Sequence, residues 1–228
     1  MADRLTKLGV QFEILQYPPE TTDFTVIVAD LNNRVTAAVQ NYGNNQVGVV
    51  LFAGDEGALL IHDSASYNAL KHVKWFGSDG TEGIGYFIQD TTVAQFNIQT
   101  RMVHPVFNPT FTNITQKVRQ YIISQLGREP DPYAYVAYDI AWALIKAIVE
   151  VNAYDPVKVN QVLPQVASQL FGATGWLNLD QNHDRLGGDY GLWTIVNQNG
   201  TYQWVQVGLY SFTSDSITWY PGYEYLSK

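Results

Sequence analysis

Two valine-rich apolar runs, each followed by a glycine-rich loop, most limit what this chain can form. Val47–Ala53 leads into the loop Ala53–Gly57, and Val73–Phe76 leads into the loop Gly77–Gly83. Continuous apolar runs of this length are typical of parallel strands covered on both faces. The residues between them, about 56–71, have the apolar spacing of a helix. A β-α-β unit places both loops at the same edge of one parallel sheet, so the sequence predicts an α/β fold in which these loops converge.

The residues before this unit extend it toward the amino terminus. The alternation of apolar and polar residues over Val10–Tyr17 predicts a strand. Asp23 can accept the free N–H groups at the start of a helix that runs to Gly43. The expected order is therefore β-α-β-α-β over residues 1–103.

The middle of the chain is almost wholly helical, and its end contains a hairpin. Helices are predicted over about 115–126, 133–151 and from Asp155, the last of them kinked or split by Pro164. Asn199-Gly200 between two apolar runs predicts a hairpin turn. The amphipathic helices of 107–171 need a sheet or a partner to cover, and the sequence shows no second parallel sheet for them.

Composition excludes several classes of protein. Apolar residues make up 46% of the 228 residues and charged residues 15%, which favours a packed core over disorder. A net charge of −8 argues against binding to nucleic acid or to an anionic membrane. With no cysteine, the chain has no disulfide, no thiol nucleophile and no thiolate metal ligand. The first residues, Met1-Ala2-Asp3-Arg4, do not have the pattern of a signal peptide, and no apolar run is long enough for a membrane span.

One acidic cluster has a spacing similar to that of a calcium loop. Asp180, Asn182 and Asp184 alternate as calcium ligands do, but Arg185 stands where the loop needs glycine, and Gly191 where it needs glutamate. A β-turn is favoured, and with no metal-binding histidine spacing either, we expect no metal or cofactor.

Asp79 is the candidate for ligand binding, and two interpretations of it remain open. Ser78-Asp79-Gly80 is typical of a turn in which the aspartate bonds its own backbone. An acid held among glycines at the carboxyl edge of a parallel sheet can also meet a ligand cation. From these three residues alone the turn is favoured, and the neighbouring loop strengthens the ligand interpretation.

A set of segments in a fixed order resembles one family. The segments are Tyr17–Phe24, the strand and loop Val47–Gly57, Trp75–Gly80, Ala137–Trp142, and Gly172–Gly175 with Leu179-Asp180. Together they resemble the type I extracytoplasmic solute-binding proteins of ABC transporters, in the branch that binds branched-chain amino acids. The resemblance implies a periplasmic-binding-protein type I fold: Rossmann-like parallel sheets, with helices on both faces, in two lobes joined by three crossing strands. Members of the family are about half as long again or more, so it also implies an incomplete fold.

The resemblance assigns the segments to lobes. Residues 1–103 map to the second lobe and 104–175 to a mostly helical part of the first lobe. Residues 176–228 map to a return crossing whose hairpin reaches the second lobe. The sheet beneath the middle helices, and an export signal, would then lie in the part of the family that this chain does not contain, and an extracytoplasmic location is implied.

The resemblance also implies a site. The acid equivalent to Asp79 pairs with the ligand's ammonium group, with Ser78 and Gly80 beside it. Ala53, Gly54 and Glu56 would line the ligand's side chain. Glu56 is equally explained as an acid at a helix amino terminus. The family's contacts to the ligand carboxylate map to nothing in this chain.

The expected function is therefore that of a receptor for a small ligand, an aliphatic or branched-chain amino acid or a relative, between two hinged lobes. Its expected partners are that ligand and the permease subunits of an ABC importer, and no covalent chemistry is expected. Three alternatives stay open: a ligand-sensing domain of the same fold, a hydrolase using paired carboxylates among Asp55, Glu56 and Asp79, and pairing with a second copy to cover the exposed helices.

Overall fold

A computed structural model of the chain describes residues 2–18 and 20–227, with side chains from residue 5 onward. The helices are α1 Ala2–Lys7, α2 Thr25–Tyr42, α3 Gly57–Ser64, α4 Asn68–Lys71, α5 Gly85–Gln89, α6 Thr91–Gln99, α7 Asn113–Leu126, α8 Pro132–Val151 and α9 Pro156–Ser168. The strands are β1 Gly48–Val50, β2 Lys74–Phe76, β3 His104–Asn108, β4 Phe171–Gly172, β5 Gly175–Trp176, β6 Asp189–Gln198, β7 Thr201–Ser211 and β8 Ser216–Trp219.

The chain divides into two units, each discontinuous in sequence. The first unit ends at His104 and takes back the segment Trp193–Val205. The second unit comprises Pro105–Leu192 and the chain from Gln206 onward. The chain therefore passes from one unit to the other three times.

The first unit contains the parallel strands that the valine-rich runs predict. β1 and β2 pair in parallel, with Val49 opposite Trp75, and a further parallel bridge joins Phe76 to Val103. The parallel arrangement expected from the sequence is confirmed, although β1 is shorter than the apolar run. Helices α2, α3 and α6 pack against it, and the fully buried core includes Phe24, Val28, Ile61, Leu70, Trp75, Phe87 and Val93.

The prediction of a strand at Val10–Tyr17 is wrong. Among the described residues, this segment belongs to no helix or strand. Val10 is 46% exposed and Ile14 64% exposed. A strand forms only where a neighbour supplies hydrogen bonds and a core covers its apolar face. Tyr17 packs against the core, but the exposed Val10 and Ile14 leave the apolar face of this segment uncovered. The β-α-β-α-β order is therefore reduced to its last two strands.

The prediction of a single helix over about 56–71 is also wrong, because that helix is not continuous. It is interrupted at Ala65–Tyr67, and α3 and α4 are separate helices. The Ser64 hydroxyl donates to the Leu60 carbonyl (2.8 Å), which is the kind of local bond that competes with a continuing helix. Tyr67 then takes an extended conformation (φ −104°, ψ 122°) before α4 begins.

The second unit contains the long helices and a short antiparallel pair, β4–β5. α8 begins as Asp131-Pro132 predicts, with the Asp131 carboxylate accepting the Tyr133 N–H at 2.7 Å. α9 is not split by Pro164, because Leu163 and Ala167 pack onto the core around Ala143 of α8 and hold the helix together.

A four-stranded sheet carries the chain between the units. Its strand order is β3-β6-β7-β8, and the three crossing points lie in β3, β6 and β7. The hairpin β6–β7 turns at Asn199-Gly200, where both residues have positive φ (54° and 89°), as the sequence predicts. β8 pairs antiparallel with β7, with Trp219 opposite Gly208.

Lys74 on β2 provides a test of the packing of the first sheet. Burial first, and then the charge of Arg101, lower the pKa of Lys74 to about 8. Between pH 8 and about 10.5 the unfolded chain therefore binds the proton that the folded chain has lost, so this residue makes stability rise with pH across that window. We expect Lys74→Met to raise the melting temperature at pH 7 and to flatten that rise.

The measurement is thermal unfolding by circular dichroism from pH 7 to 10.5. Lys117→Met, on the exposed side of α7, is the matched control and should follow the parent chain. A Lys74→Met profile parallel to that of the parent would contradict the lowered pKa of this half-buried ammonium group.

Candidate functional site

The loops after β1 and β2 lie side by side in the first unit. A Cβ placed on Gly80 would come 2.5 Å from the carbonyl oxygen of Ala53, so the backbones of the two loops touch at this point. Only glycine permits so close an approach. The structure thus brings Ala53, Gly54 and Gly80 together at the carboxyl edge of the parallel strands, as the sequence predicts.

Asp79 lies on a single turn of 3₁₀ helix, Asp79–Thr81, that begins directly after Ser78. Asp79 is exposed and Ser78 is buried. One oxygen of the Asp79 carboxylate accepts the Gly80 N–H at 3.0 Å. The turn that Ser78-Asp79-Gly80 favours is therefore present, and it holds the carboxylate at the surface beside the Ala53–Gly57 loop.

Thr81 closes this turn through its side chain. The Thr81 hydroxyl accepts the Ser78 N–H (2.9 Å), donates to the Ser78 carbonyl (2.7 Å) and contacts Nδ1 of His104 (2.8 Å). Both Thr81 and His104 are fully buried. The conformation of the Asp79 turn therefore depends on contacts behind it as well as on its own backbone.

His104 is a neutral imidazole in this environment. Burial lowers the pKa of His104 to about 3. The Asn97 amide donates to Nε2 (2.9 Å), which leaves Nδ1–H to donate to the Thr81 hydroxyl. The rings of Trp204 (4.8 Å between centroids) and Phe87 (5.9 Å) pack edge-on against the imidazole. Asn97 Oδ1 is buried without a hydrogen-bond partner among the described residues.

Glu56 is held by its own loop. Its carboxylate accepts the Gly54 N–H (3.1 Å) and the Tyr17 hydroxyl (3.0 Å). Burial opposes the charge on Glu56, but these hydrogen bonds outweigh it and the pKa of this carboxyl lies below its ordinary value. Burial and the bond to Glu56 raise the pKa of Tyr17 to about 12. The Glu56 carboxylate thus shapes the Ala53–Gly57 loop.

A depression of about 510 Å³ lies beside this loop. Asp55, Glu56, Leu59, Tyr86 and Asp90 form part of its lining, and Asp79 does not. The Asp90 carboxylate is engaged by the exposed His62 ring (2.8 Å) and by the amino terminus of α6. The structure therefore does not group Asp55, Glu56 and Asp79 in the lining of one cavity.

A buried carboxylate organises the second unit. Asp139 of α8 is fully buried and accepts three hydrogen bonds from the loop between β4 and β5. They come from the Ala173 N–H (2.6 Å), the Thr174 N–H (2.8 Å) and the Thr174 hydroxyl (2.5 Å). Arg185 reaches the same loop, donating to the Thr174 hydroxyl at 2.7 Å. This arrangement fixes the loop between β4 and β5.

The segment that begins at Asp180 forms the predicted turn. The Asp180 carboxylate accepts the N–H groups of Asn182 (2.8 Å) and Asp184 (3.0 Å). Within residues 2–18 and 20–227, no group of three histidine, aspartate or glutamate side chains could hold a metal ion. Over the same residues, no helix has both the length and the apolar character to cross a membrane.

The sequence did not identify the buried polar residues that support the Asp79 turn and the loop between β4 and β5. Asn97 gave a signal, because it follows Val93 by four residues in the buried stripe of α6. Asp139 gave a similar one, since it precedes the buried Ala143 by four residues. A polar residue in a buried helical stripe needs a specific partner, but the pattern does not name that partner.

Comparison with known proteins identifies the fold. A leucine binding protein of Thermotoga maritima superposes with a TM-score of 0.57 at 15% identity, over 90% of this chain and 53% of its own. An ABC transporter substrate-binding protein of Desulfitobacterium hafniense in complex with Leu gives a TM-score of 0.51 at 18% identity, over 89% and 54%. An uncharacterized protein of Methanocaldococcus jannaschii is 23% identical over 218 residues, 90% of this chain and 49% of that protein. No protein-family model matches.

These similarities establish the fold class and show how much of the fold the chain covers. The chain has the α/β fold of type I periplasmic binding proteins, as the sequence predicts. It spans about half the length of the curated relative and of the solved structures it matches.

Proposed function

We propose that this chain is part of a solute receptor of an ABC importer and that its first unit binds the ammonium group of an amino acid through Asp79. The observation that carries the proposal is the exposed Asp79 carboxylate, held on a rigid turn against the Ala53–Gly57 loop at the carboxyl edge of β1 and β2. In open α/β sheets, ligands bind beyond this edge. The fold shared with a leucine binding protein supports an amino-acid ligand.

The chemistry needs an acceptor for a primary ammonium group and a surface for an apolar side chain. A carboxylate forms short, charge-assisted hydrogen bonds with an ammonium, roughly twice as strong as neutral ones. We place Ser78 and Gly80 beside the ammonium, and Ala53 and Gly54 beside the ligand's side chain. Glu56 holds the Ala53–Gly57 loop in shape through its hydrogen bonds to Gly54 and Tyr17.

The proposal extends to partners and location. A receptor of this kind works outside the cytoplasm, delivers its ligand to permease subunits and performs no covalent chemistry. Exposed apolar side chains on α8, Ile140, Ile145 and Val149, are where a second copy would pack, and pairing of two copies stays a prediction from the sequence.

The test is thermal-shift screening of the parent chain and Asp79→Ala against the twenty amino acids. We expect at least one aliphatic amino acid to stabilise the parent, by about 2.7 kcal/mol at one hundred times its Kd. We expect Asp79→Ala to weaken binding by about 10-fold or more, since the ligand's ammonium group loses a charge-assisted hydrogen bond.

Glu150→Ala, an exposed acid on α8, is the control and should respond as the parent does. Equal stabilisation of the parent and Asp79→Ala would remove Asp79 from the site. The absence of a shift with all twenty amino acids would contradict the amino-acid receptor.

A further inference from the structure

The imidazole of His104 occupies the space directly over the start of the Asp79 turn. A Cβ on Gly77 would lie 2.1 Å from His104 Nδ1 and 2.6 Å from the Thr81 hydroxyl. The ring therefore packs directly against the backbone of Gly77, and a shift of either one would displace the other. Strand β2 ends one residue before Gly77, so this contact sets the direction in which the chain leaves the sheet.

The Thr81 hydroxyl connects this ring to the turn. A hydroxyl has one donor and two acceptor sites. All three are used: the donor toward the Ser78 carbonyl, and the acceptors for the Ser78 N–H and for His104 Nδ1–H. Asp79 and Gly80 lie between Ser78 and Thr81, so the segment that contains Asp79 is closed at both ends by these bonds, and Thr81 joins it to the ring.

The ring itself has little freedom. Its other nitrogen accepts from Asn97 of α6, and Trp204 of β7 and Phe87 of α5 pack against its faces and edges. Trp204 is fixed in turn, because its indole N–H donates to the Ile84 carbonyl at 3.3 Å. Three elements of the first unit thus determine where the imidazole lies.

We infer that His104 and Thr81 are positioning residues for Asp79, which hold the turn in the geometry that receives an ammonium group. The inference rests on the proposed function for the ligand and on the contacts above for the turn. The Asp79 carboxylate is exposed and accepts the Gly80 N–H. Thr81 and His104 hold the backbone of the turn from its buried side, and locked support of this kind is what preorganises a binding group.

The test compares Thr81→Val, which removes the hydroxyl at nearly constant volume, with Thr81→Ser, which keeps the hydroxyl. His104→Gln removes the ring, and Thr92→Val, at an exposed position of α6, is the control. Hydrogen exchange of the 78–81 amides is measured without ligand. Affinity for L-leucine, and for any other amino acid that shifts the parent, is measured by titration calorimetry.

We expect Thr81→Val to accelerate exchange at Ser78 by about 10-fold or more and to weaken amino-acid binding by a similar factor, and we expect Thr81→Ser to keep the parent's exchange and affinity.

Unchanged exchange at Ser78 in Thr81→Val would overturn the inference whether or not an amino acid binds. Faster exchange with unchanged affinity would overturn it as well, since the turn would then not position Asp79. A parent that binds no amino acid would instead contradict the proposed function, while the exchange data still decide the support of the turn. Global unfolding of His104→Gln leaves the two threonine variants to decide.

Discussion

Replacing Asp139 with asparagine is expected to lower the free energy of unfolding by about 1–3 kcal/mol, the usual cost of leaving a buried donor without its partner. The carboxylate is fully buried and accepts two backbone N–H groups and one hydroxyl from Ala173 and Thr174. An asparagine turns an NH₂ group toward at least one of these donors. The donor then stays buried without a partner, which is more costly than losing the bond alone.

The measurement is urea unfolding followed by circular dichroism and by tryptophan fluorescence. Asp131→Asn is the matched control, because Asp131 is the cap of the same helix and asparagine caps equally well. It should lie within about 0.5 kcal/mol of the parent. A loss of less than about 1 kcal/mol in Asp139→Asn would show that the loop does not depend on the carboxylate charge.

The second large effect is a loss of stability in acid caused by His104. Burial lowers the pKa of His104 from 6.5 to about 3, so the unfolded chain takes up a proton there before the folded chain does. The contribution of the neutral ring is complete above pH 6.5 and is lost as the pH falls toward 3. The full shift corresponds to about 5 kcal/mol. The groups that the structure places against the ring, Thr81, Asn97, Phe87 and Trp204, do not titrate in this range.

Unfolding curves at pH 7.5, 6.0, 5.0 and 4.5 test this. His104→Gln should be less stable than the parent at pH 7.5, and its stability should fall less steeply with acid, by a slope equivalent to up to one proton. His72→Gln, at an exposed position after α4, should keep the parent's slope. Parallel profiles for His104→Gln and the parent would show that the ring is not protonated on unfolding.

What could be predicted from the sequence was set by local signals. The parallel pair β1–β2 follows from valine-rich runs that end in glycine, the start of α8 from Asp131-Pro132, and the hairpin from Asn199-Gly200. Each of these acts through a few neighbouring residues. The expected strand at Val10–Tyr17 failed because alternation states which face could be buried, and only the rest of the fold decides whether anything covers it.

The candidate site divides in the same way. The convergence of the loops that carry Ala53 and Gly80 follows from parallel strand order, and the structure confirms it. The contacts of Thr81 with His104, and of Asp139 with Thr174, join residues 23 and 35 positions apart. The sequence signals a polar residue in a buried stripe for Asp139 but gives no such signal for Thr81 and His104, and in both cases the choice of partner depends on the three-dimensional packing.

The return of Trp193–Val205 to the first unit has a consequence for how the chain is made. Ile195 is buried in the core of that unit, and the Thr194 hydroxyl donates to the Met102 carbonyl at 2.7 Å. About 90 further residues after His104 must therefore be synthesised before the core of this unit can close, which takes on the order of 10 s at typical rates of synthesis. During that interval the pocket around His104 lacks Trp204. A nascent chain of this design therefore exposes a partly open core on the ribosome, where chaperone binding competes with folding.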